Sequence, residues 1–342
     1  MALIVLLCIF FCGRKKRRTL IDSSVERHET KKDLFKELLE IAIPITIGST
    51  IMPLMMIIDL SVIMRRLQAT GWSLAESKTL YGLISGFCDP LIGLPGVFID
   101  AVSMSLLPAV TAAFVLKKKE ELDKTVQTGI KTMMVVAYPC AIGLIVLAKP
   151  ILHMMYPMRL EEADMAVTNL QILSLSILTL SAMRTFSTTL QAVGKMVLPV
   201  FNLFIGAIVK IVLSYILVGI PALNINGAAI GSVSAYLVAG LLNYRAMKKY
   251  AGAKIDLIGT FVRPLIASGI MGVATYLVYK VGMIVIGRNS IATLLAIVVA
   301  VVVYFFMIFI TKTMNREDAL MLPGGRRIVK LSDKLHLTSP GE

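Results

Sequence analysis

The sequence predicts an all-α polytopic membrane protein with eight full transmembrane helices and one partial helix at its N-terminus. Its 342 residues are 57% hydrophobic and only 16% charged, with a mean hydropathy of +0.81. Soluble domains average about 45–50% apolar and about 25% charged residues, so a soluble core could not bury this much apolar surface. The apolar residues also collect in nine separate stretches, as expected for repeated passages through a bilayer.

Eight of these stretches are long enough to cross a bilayer, because about 20 apolar residues suffice for a helical crossing. They lie near 38–63, 80–116, 127–149, 166–193, 196–219, 225–244, 262–285 and 290–311. The ninth, from Ala2 to Cys12, is too short and precedes a basic run from Arg14 to Arg18. In a signal peptide the basic residues come before the apolar core. The reversed order favours a truncated transmembrane helix at 1–13, with a short signal-anchor as the alternative.

The stretch at 80–116 is too long for one upright crossing, yet the charges favour a single helix. Basic residues between Arg14 and Lys36, and again at Lys117 to Lys119, belong on the cytoplasmic side by the positive-inside rule. An even number of crossings must therefore separate these two groups, and 80–116 crosses once. Prolines within the stretch supply places to bend, because proline removes an intrahelical hydrogen bond.

The remaining connections repeat this charge pattern. Most of the 35 Lys and Arg residues fall in alternate connections and in the C-terminal segment, which places the C-terminus in the cytoplasm. The chain is therefore expected to be a multi-pass protein of the cell membrane. Nucleic acid is not an expected partner, because these basic residues do not form one folded basic face.

The composition offers little for enzymatic chemistry or for a cofactor. The four cysteines, Cys8, Cys12, Cys88 and Cys140, form no CxxC pair, and the only histidines are His28, His153 and His336. No catalytic set and no metal-ligand spacing can be assembled from them. We therefore expect no enzyme activity, no metal site and no cofactor.

Two cations inside predicted crossings are the first candidates for substrate binding, because a charged side chain at the bilayer centre costs at least about 2.5–3.5 kcal/mol. Arg184 lies on a polar stripe whose members recur at helical spacing: Gln171, Ser174, Ser181, Thr185, Thr188 and Gln191. Lys210 lies on the next helix, on a ridge with Asn202, Gly206 and Ser214. Together they predict a cavity that takes an anionic substrate. The alternatives are that Arg184 snorkels to the surface and that Lys210 pairs with a carboxylate to hold helices together.

Three aspartates in or near crossings are candidates for ion coupling or for helix pairing. Asp59 lies close to Arg65 and Arg66, where an ion pair or solvation would satisfy it. Asp89 precedes Pro90 at an expected bend, where it would cap the helix that resumes. Asp100 lies deeper and is the stronger candidate for taking up a proton or a cation during transport.

Two passages carry a family resemblance. The sequence resembles the SpoVB-type polysaccharide exporters, members of the superfamily that contains the lipid II flippase MurJ, the O-antigen flippases and the multidrug and toxic compound extrusion transporters. The first passage comprises Asp59, Met64 to Gln68, Leu80 to Gly82, Leu94 to Gly96 and Ser105 to Ala109. The second comprises Leu190 to Lys195, Pro199, Asn202, Gly206, Lys210 and Leu223 to Ala229.

The resemblance implies fourteen helices, as two six-helix lobes around a central cavity with two appended helices. On that plan, 1–13 is the end of the sixth helix, 14–36 a basic cytoplasmic linker and 37–250 the second lobe. The appended helices occupy 251–312, and 313–342 is a cytoplasmic tail. The first lobe has no counterpart in the sequence, so we expect an N-terminally truncated form.

The implied function is a flippase that moves an undecaprenyl-pyrophosphate-linked saccharide to the outer leaflet by alternating access. The substrate-binding candidates are Arg184, Lys210, Gln191, Asn202, Thr188 and Ser181. Expected partners are this lipid-linked saccharide, membrane lipids and a missing or separately encoded first lobe. One alternative is a cation-coupled multidrug antiporter that depends on Asp59 or Asp100. The other is a non-transporting membrane subunit.

Overall fold

The computed structural model describes residues 50, 53–54, 56–253, 255–256, 258–311 and 313. The predicted truncated helix at 1–13, the linker at 14–36, nearly all of the C-terminal tail and most of the crossing at 38–63 lie outside these residues. All regular structure in the described part is helical. The helices are α1 (56–69), α2 (Leu74–Gly82), α3 (Asp89–Val115), α4 (Lys119–Val146), α5 (Ala148–Met155), α6 (Leu160–Ala192), α7 (Val197–Val218), α8 (Asn226–Tyr250), α9 (Arg263–Ile286) and α10 (Asn289–Ile310).

Seven helical segments of the described part are long and apolar enough to cross a membrane. They are Leu74–Val115, Lys119–Val146, Leu160–Ala192, Val197–Val218, Asn226–Tyr250, Ile258–Ile286 and Asn289–Ile310. Their outer faces stay apolar, as on α10, where Val298 and Val301 are exposed. A helix satisfies all its backbone groups internally, which is what a lipid environment requires. The predicted class, an all-α polytopic membrane protein, is confirmed.

The segment at 80–116 forms one long helical rod in the structure, Leu74–Val115. Ser73 and Glu76 form a capping box at its start, which explains why the rod begins before the apolar stretch does. A π-helical turn over Leu83–Cys88 joins α2 to α3, and Pro95 and Pro108 lie inside α3. The rod is thus continuous but irregular, and the π turn contains the buried Phe87 and Cys88.

The next predicted crossing, 127–149, differs most from its observed bounds. Helix α4 begins at Lys119 and ends at Val146, and the short helix α5 follows after a break at Leu147. The first two turns of α4 are charged, and Glu120 and Glu121 in its first turn suit the positive end of the helix dipole. Hydropathy alone detects only the apolar remainder of such a helix.

Close packing of α7 against α8 depends on small residues. A Cβ atom placed on Gly206 would lie 2.6 Å from the backbone oxygen of Ala235. Glycine at this point lets two helices approach closely, as small residues commonly do in membranes. The same two helices are also joined by a buried hydrogen bond of 2.7 Å from Asn202 Nδ2 to Asn243 Oδ1.

The helices define two ends of the molecule. The first end carries the α3–α4, α6–α7 and α8–α9 connections, and the second end carries the α1–α2, α7–α8 and α9–α10 connections.

At the first end, Lys119 Nζ donates to the backbone oxygens of Ala251 and Gly252 at 3.2 and 2.7 Å. Gln127 bonds Thr260 and the backbone of Asp256. These contacts fix the segment leading into α9 against α4.

Candidate functional site

A cavity of about 310 Å³ lies between α1, α2, α3, α6, α7 and α8. Its charged lining residues are Asp59, Asp89 and Lys210, and its polar lining includes Tyr81 and Tyr236. Each charge comes from a different helix, so the cavity exists only where these helices pack together.

Asp59 and Lys210 form an ion pair across α1 and α7. The side chain of Asp59 is 11% exposed and that of Lys210 17% exposed. The expectation that Asp59 would be satisfied by solvent or by the neighbouring arginines is wrong. Arg66 instead donates from Nε to the backbone oxygen of Tyr215 at 3.0 Å and lies over the Tyr215 ring. The structure thus shows the alternative stated for Lys210, in which it pairs with a carboxylate and joins two helices.

Asp89 lines the same cavity, and its predicted role as a helix cap is wrong. Its backbone is helical, with φ −56° and ψ −40°, and it continues directly from the π turn. The cap position of α3 is Cys88, which makes no side-chain capping bond. The helical segment Leu74–Val115 runs through this position, so no new helix begins at Asp89.

Arg184 and Asp100 form a second, looser pair one helical turn beyond the cavity. Arg184 follows the lining residue Leu180 by four positions on α6, and Asp100 follows the lining residue Gly96 by four positions on α3. Arg184 Nε lies 3.4 Å from Asp100 Oδ1, and the two side chains are 42% and 56% exposed. Nε makes no hydrogen bond, although it is buried. The contact is therefore electrostatic and poorly aligned.

The other predicted substrate-binding residues divide into buried and exposed ones. Ser181 is fully buried and donates to the backbone oxygen of Ile177, while Thr188 is buried as well. Asn202 is buried in its bond to Asn243, which in turn donates to Ser187. Gln191 is exposed near the first end. In this structure Ser181, Thr188 and Asn202 pack between helices, so the accessible candidates are Arg184, Gln191 and the cavity-lining Lys210. Substrate contact stays a prediction for all of them.

The summed charge of the two pairs and Asp89 differs from the sequence expectation. Two cations were expected to make an electropositive cavity, but the structure brings three aspartates to them, which leaves one more negative than positive formal charge. Spacing along one helix does not reveal which carboxylates other helices bring to it. Among the described residues, no group of three or more His, Cys, Asp or Glu side chains is placed to hold a metal ion.

Two tyrosines of the cavity were not singled out as site residues. Tyr236 lies four positions after Ser232 on α8, and both line the cavity. Their spacing puts two polar groups on one face of a helix otherwise rich in Ala and Gly. Tyr81 lies at the end of α2, just before the π turn. The spacing of Ser232 and Tyr236 was a usable signal, and Tyr81 stands in the resemblance passage Leu80 to Gly82, which gave it no role at the site.

A second, nearly apolar cavity of about 390 Å³ lies between α4, α6 and α8. Its lining includes Tyr138, Phe186 and Tyr244, together with Ile255 and Phe261 from the segment leading into α9. It is lined by a different set of α6 residues, Leu178, Thr179, Ala182 and Phe186, and it adjoins the charged cavity at Tyr236, which lines both.

Comparison with known proteins matches one family over most of the chain. The family model "Lipid II flippase MurJ" matches residues 2–292. Three similar proteins come from Bacillus subtilis (strain 168). The uncharacterized membrane protein YabM is 28% identical over 271 residues, covering 79% of this chain and 49% of that protein. Lipid II flippase MurJ is 23% identical over 248 residues, covering 72% and 45%. Stage V sporulation protein B is 23% identical over 245 residues, covering 71% and 46%.

A solved structure of lipid II flippase MurJ, in an inward closed conformation, superposes with a TM-score of 0.59. It covers 86% of this chain and 57% of that one at 18% identity, which shows a shared fold. The chain spans about half the length of the curated relatives it matches. The resemblance to the flippase superfamily noted in the sequence is confirmed by these matches.

Proposed function

Because the chain belongs to the lipid II flippase MurJ family, we propose that it serves in a flippase for lipid-linked precursors, moving an undecaprenyl-pyrophosphate-linked saccharide from the cytoplasmic to the outer leaflet. Two relatives support this proposal by name, one a lipid II flippase and the other a sporulation protein. The chain would form the second lobe and the two appended helices. Alternating access would require a first lobe, which forms the other wall of the central cavity.

The Arg184–Asp100 pair is the observation that carries this proposal. Arg184 is held at 3.4 Å by a half-exposed carboxylate, and its Nε makes no hydrogen bond. A pyrophosphate offers several oxygens to a guanidinium and binds it in a planar, bidentate geometry. The substrate would displace Asp100 from Arg184, whereas Lys210 is paired with Asp59 and less exposed. Gln191, two turns along α6, would extend the polar path toward the first end.

The first end would face the cytoplasm in this proposal. Lys117, Lys118 and Lys119 lie there, and so do Lys248 and Lys249 at the end of α8. Positive residues of this kind accumulate on the cytoplasmic side of membrane proteins. Arg184 lies nearer to this end than to the other. The anionic head group of the substrate would therefore meet Arg184 as the lipid enters from the cytoplasmic leaflet.

The test is a flipping assay with variants at Arg184. Vesicles contain the full chain, with and without a separately expressed first lobe, and a fluorescent undecaprenyl-pyrophosphate saccharide reports arrival in the opposite leaflet. We expect Arg184→Ala to slow flipping at least about tenfold, because a charge-assisted hydrogen bond contributes about 1.5–3 kcal/mol. Arg184→Lys should retain part of the rate, since it keeps the charge but loses the bidentate geometry.

The matched control is Lys248→Ala, which removes an exposed cation from the end of α8. It should flip at the unaltered rate. A full flipping rate for Arg184→Ala would overturn the assignment of Arg184. Flipping only when the first lobe is present would identify this chain as one part of a two-chain transporter.

A cation-coupled multidrug antiporter is the second candidate. The excess of carboxylates over cations in the charged cavity favours it. Asp59 and Asp89 line one cavity with a single cation, Lys210. Such a cluster suits the uptake of a proton or a metal cation. On this alternative, Asp59→Asn and Asp89→Asn would abolish transport of a cationic dye, and Arg184→Ala would leave it intact.

A further inference from the structure

A third cavity, of about 360 Å³, lies at the second end. One side consists of Thr70, Gly71 and Trp72 from the α1–α2 connection and Glu76 from the first turn of α2. The other side consists of Val218 at the end of α7 and of Pro221 and Asn224 from the α7–α8 connection. Its volume falls in the range of about 300–1,000 Å³ that is usual for small-molecule sites. It contains none of the residues of the charged cavity, so it requires its own explanation.

Trp72 is the only tryptophan of the chain and forms one wall of this cavity. It is half-buried and packs against the hydrophobic cluster that contains Leu67 and Leu80. The backbone around it is held by the Ser73–Glu76 capping box and by a 2.7 Å bond from the Thr70 hydroxyl to the Leu67 oxygen. The indole N–H donates to no group among the described residues. A fixed aromatic ring therefore forms part of the cavity wall.

Asn224 lines the same cavity from the α7–α8 connection, and its side-chain oxygen is unsatisfied. Its φ is +46°, a left-handed conformation that asparagine tolerates better than most residues. Its backbone N–H is bonded to the Ile220 oxygen at 2.8 Å, but its side-chain Oδ1 is buried with no hydrogen-bond partner. An unpaired buried acceptor costs about 1–3 kcal/mol. A donor in the cavity would recover this cost after a small rotation of the amide.

We propose that this cavity binds a pyranose ring, namely the saccharide head group of the flipped lipid at the outer leaflet. A pyranose has an apolar face of C–H groups that packs on an indole ring, and an edge of hydroxyl groups. Those hydroxyls would donate to Asn224 Oδ1 and to the Glu76 oxygen that the capping box leaves free, and would accept from the Trp72 indole N–H.

The position of the cavity agrees with this assignment. It lies at the end opposite the lysine-rich connections, which is the outer end on the proposed orientation. Arg66 lies one turn before Thr70 on α1, with its guanidinium against Gly219 and Tyr215. The inference rests on the proposed function, because it takes the transported molecule to carry a saccharide.

Trp72 makes the test direct, since the whole tryptophan fluorescence of the chain comes from this one site. The full chain is purified in a detergent that contributes no tryptophan signal and is titrated with N-acetylglucosamine. We expect a saturable change in fluorescence. Asn224→Gly should weaken the apparent affinity about tenfold, because it removes the amide hydrogen bonds but keeps a residue suited to positive φ. Mannitol, an acyclic polyol, should give no saturable change.

The matched control is Glu161→Gln, an exposed carboxylate at the same end and outside the cavity, which should titrate as the unaltered chain does. A linear response to the sugar, an equal response to mannitol, or an unchanged affinity in Asn224→Gly would each overturn the site. Flipping without saturable sugar binding would overturn this inference alone. Saturable binding in a chain that fails to flip even with a first lobe would support this site and overturn the proposed function instead.

Discussion

Asp59 on α1 and Lys210 on α7 form an ion pair between two helices that are far apart in the sequence. Without Lys210, Asp59 loses the single cation of the cavity, and breaking a buried pair from one side costs about 3–5 kcal/mol. We therefore expect Asp59→Leu and Lys210→Met each to destabilise the protein strongly. The double variant should lose less than the sum of the two single losses, because Asp89 is then the one charged group of this cavity that remains without a cation. Denaturation of the four proteins in detergent, arranged as a double-mutant cycle, measures this coupling.

Lys280→Met is the control for this cycle. Lys280 is an exposed cation on α9 that lies 5.1 Å from the centroid of the Tyr276 ring. An exposed contact of this kind contributes about 0.5–1 kcal/mol. Losses at Asp59 and Lys210 that simply add in the double variant would contradict the buried pair.

The individual site residues show which part of a site a sequence can predict. Lys210 and Arg184 stand out because a cation inside an apolar segment is costly, and that argument needs no knowledge of the fold. The sequence does not predict their ion-pair partners. Asp59 and Asp100 come from helices whose facing sides depend on packing, so the nearest cations in sequence, such as Arg65, gave the wrong partner for Asp59.

The approach of α7 to α8 depends on one glycine, and this gives a prediction for a pair of helices. We expect Gly206→Ala to separate the two helices, because the added methyl group would lie 2.6 Å from a backbone oxygen that cannot move aside alone. Overpacking of this kind costs about 1–3 kcal/mol. A lower melting temperature of the purified protein would report it.

Gly143→Ala is the matched control within α4. A Cβ atom at Gly143 has nothing within 4 Å, so the change should be neutral or stabilising, because alanine is about 1 kcal/mol better than glycine in a helix. Equal melting temperatures for Gly206→Ala and Gly143→Ala would contradict the close approach.

The helices were predicted best where their ends are also the ends of apolar stretches. Helices α7 and α10 are of this kind, at Val197–Val218 and Asn289–Ile310 against expected crossings near 196–219 and 290–311. Helix α4 was predicted to begin eight residues late, since its first turns are charged. Hydropathy reports where a helix meets lipid. It does not report where the helix continues into water.

For the molecule as a whole, the orientation in the membrane gives a prediction that needs no transport assay. Met158, 98% exposed in the connection between α5 and α6, lies at the second end, and Lys118 lies at the first. In intact cells, Met158→Cys should react with a membrane-impermeant maleimide, and Lys118→Cys should react only after the membrane is opened. The opposite pattern would reverse the orientation, and with it the outer position proposed for the Trp72 cavity.

The hydrogen bonds among Ser187, Asn202 and Asn243 also bear on how the chain is made. Helices α6 and α7 are synthesised before α8, so the amide of Asn202 enters the membrane before Asn243 exists to accept its hydrogen bond. A polar group in hydrocarbon with no partner is costly. Helices α6 and α7 would therefore remain near the insertion machinery until α8 emerges, and the three would enter the lipid together as one unit of biogenesis.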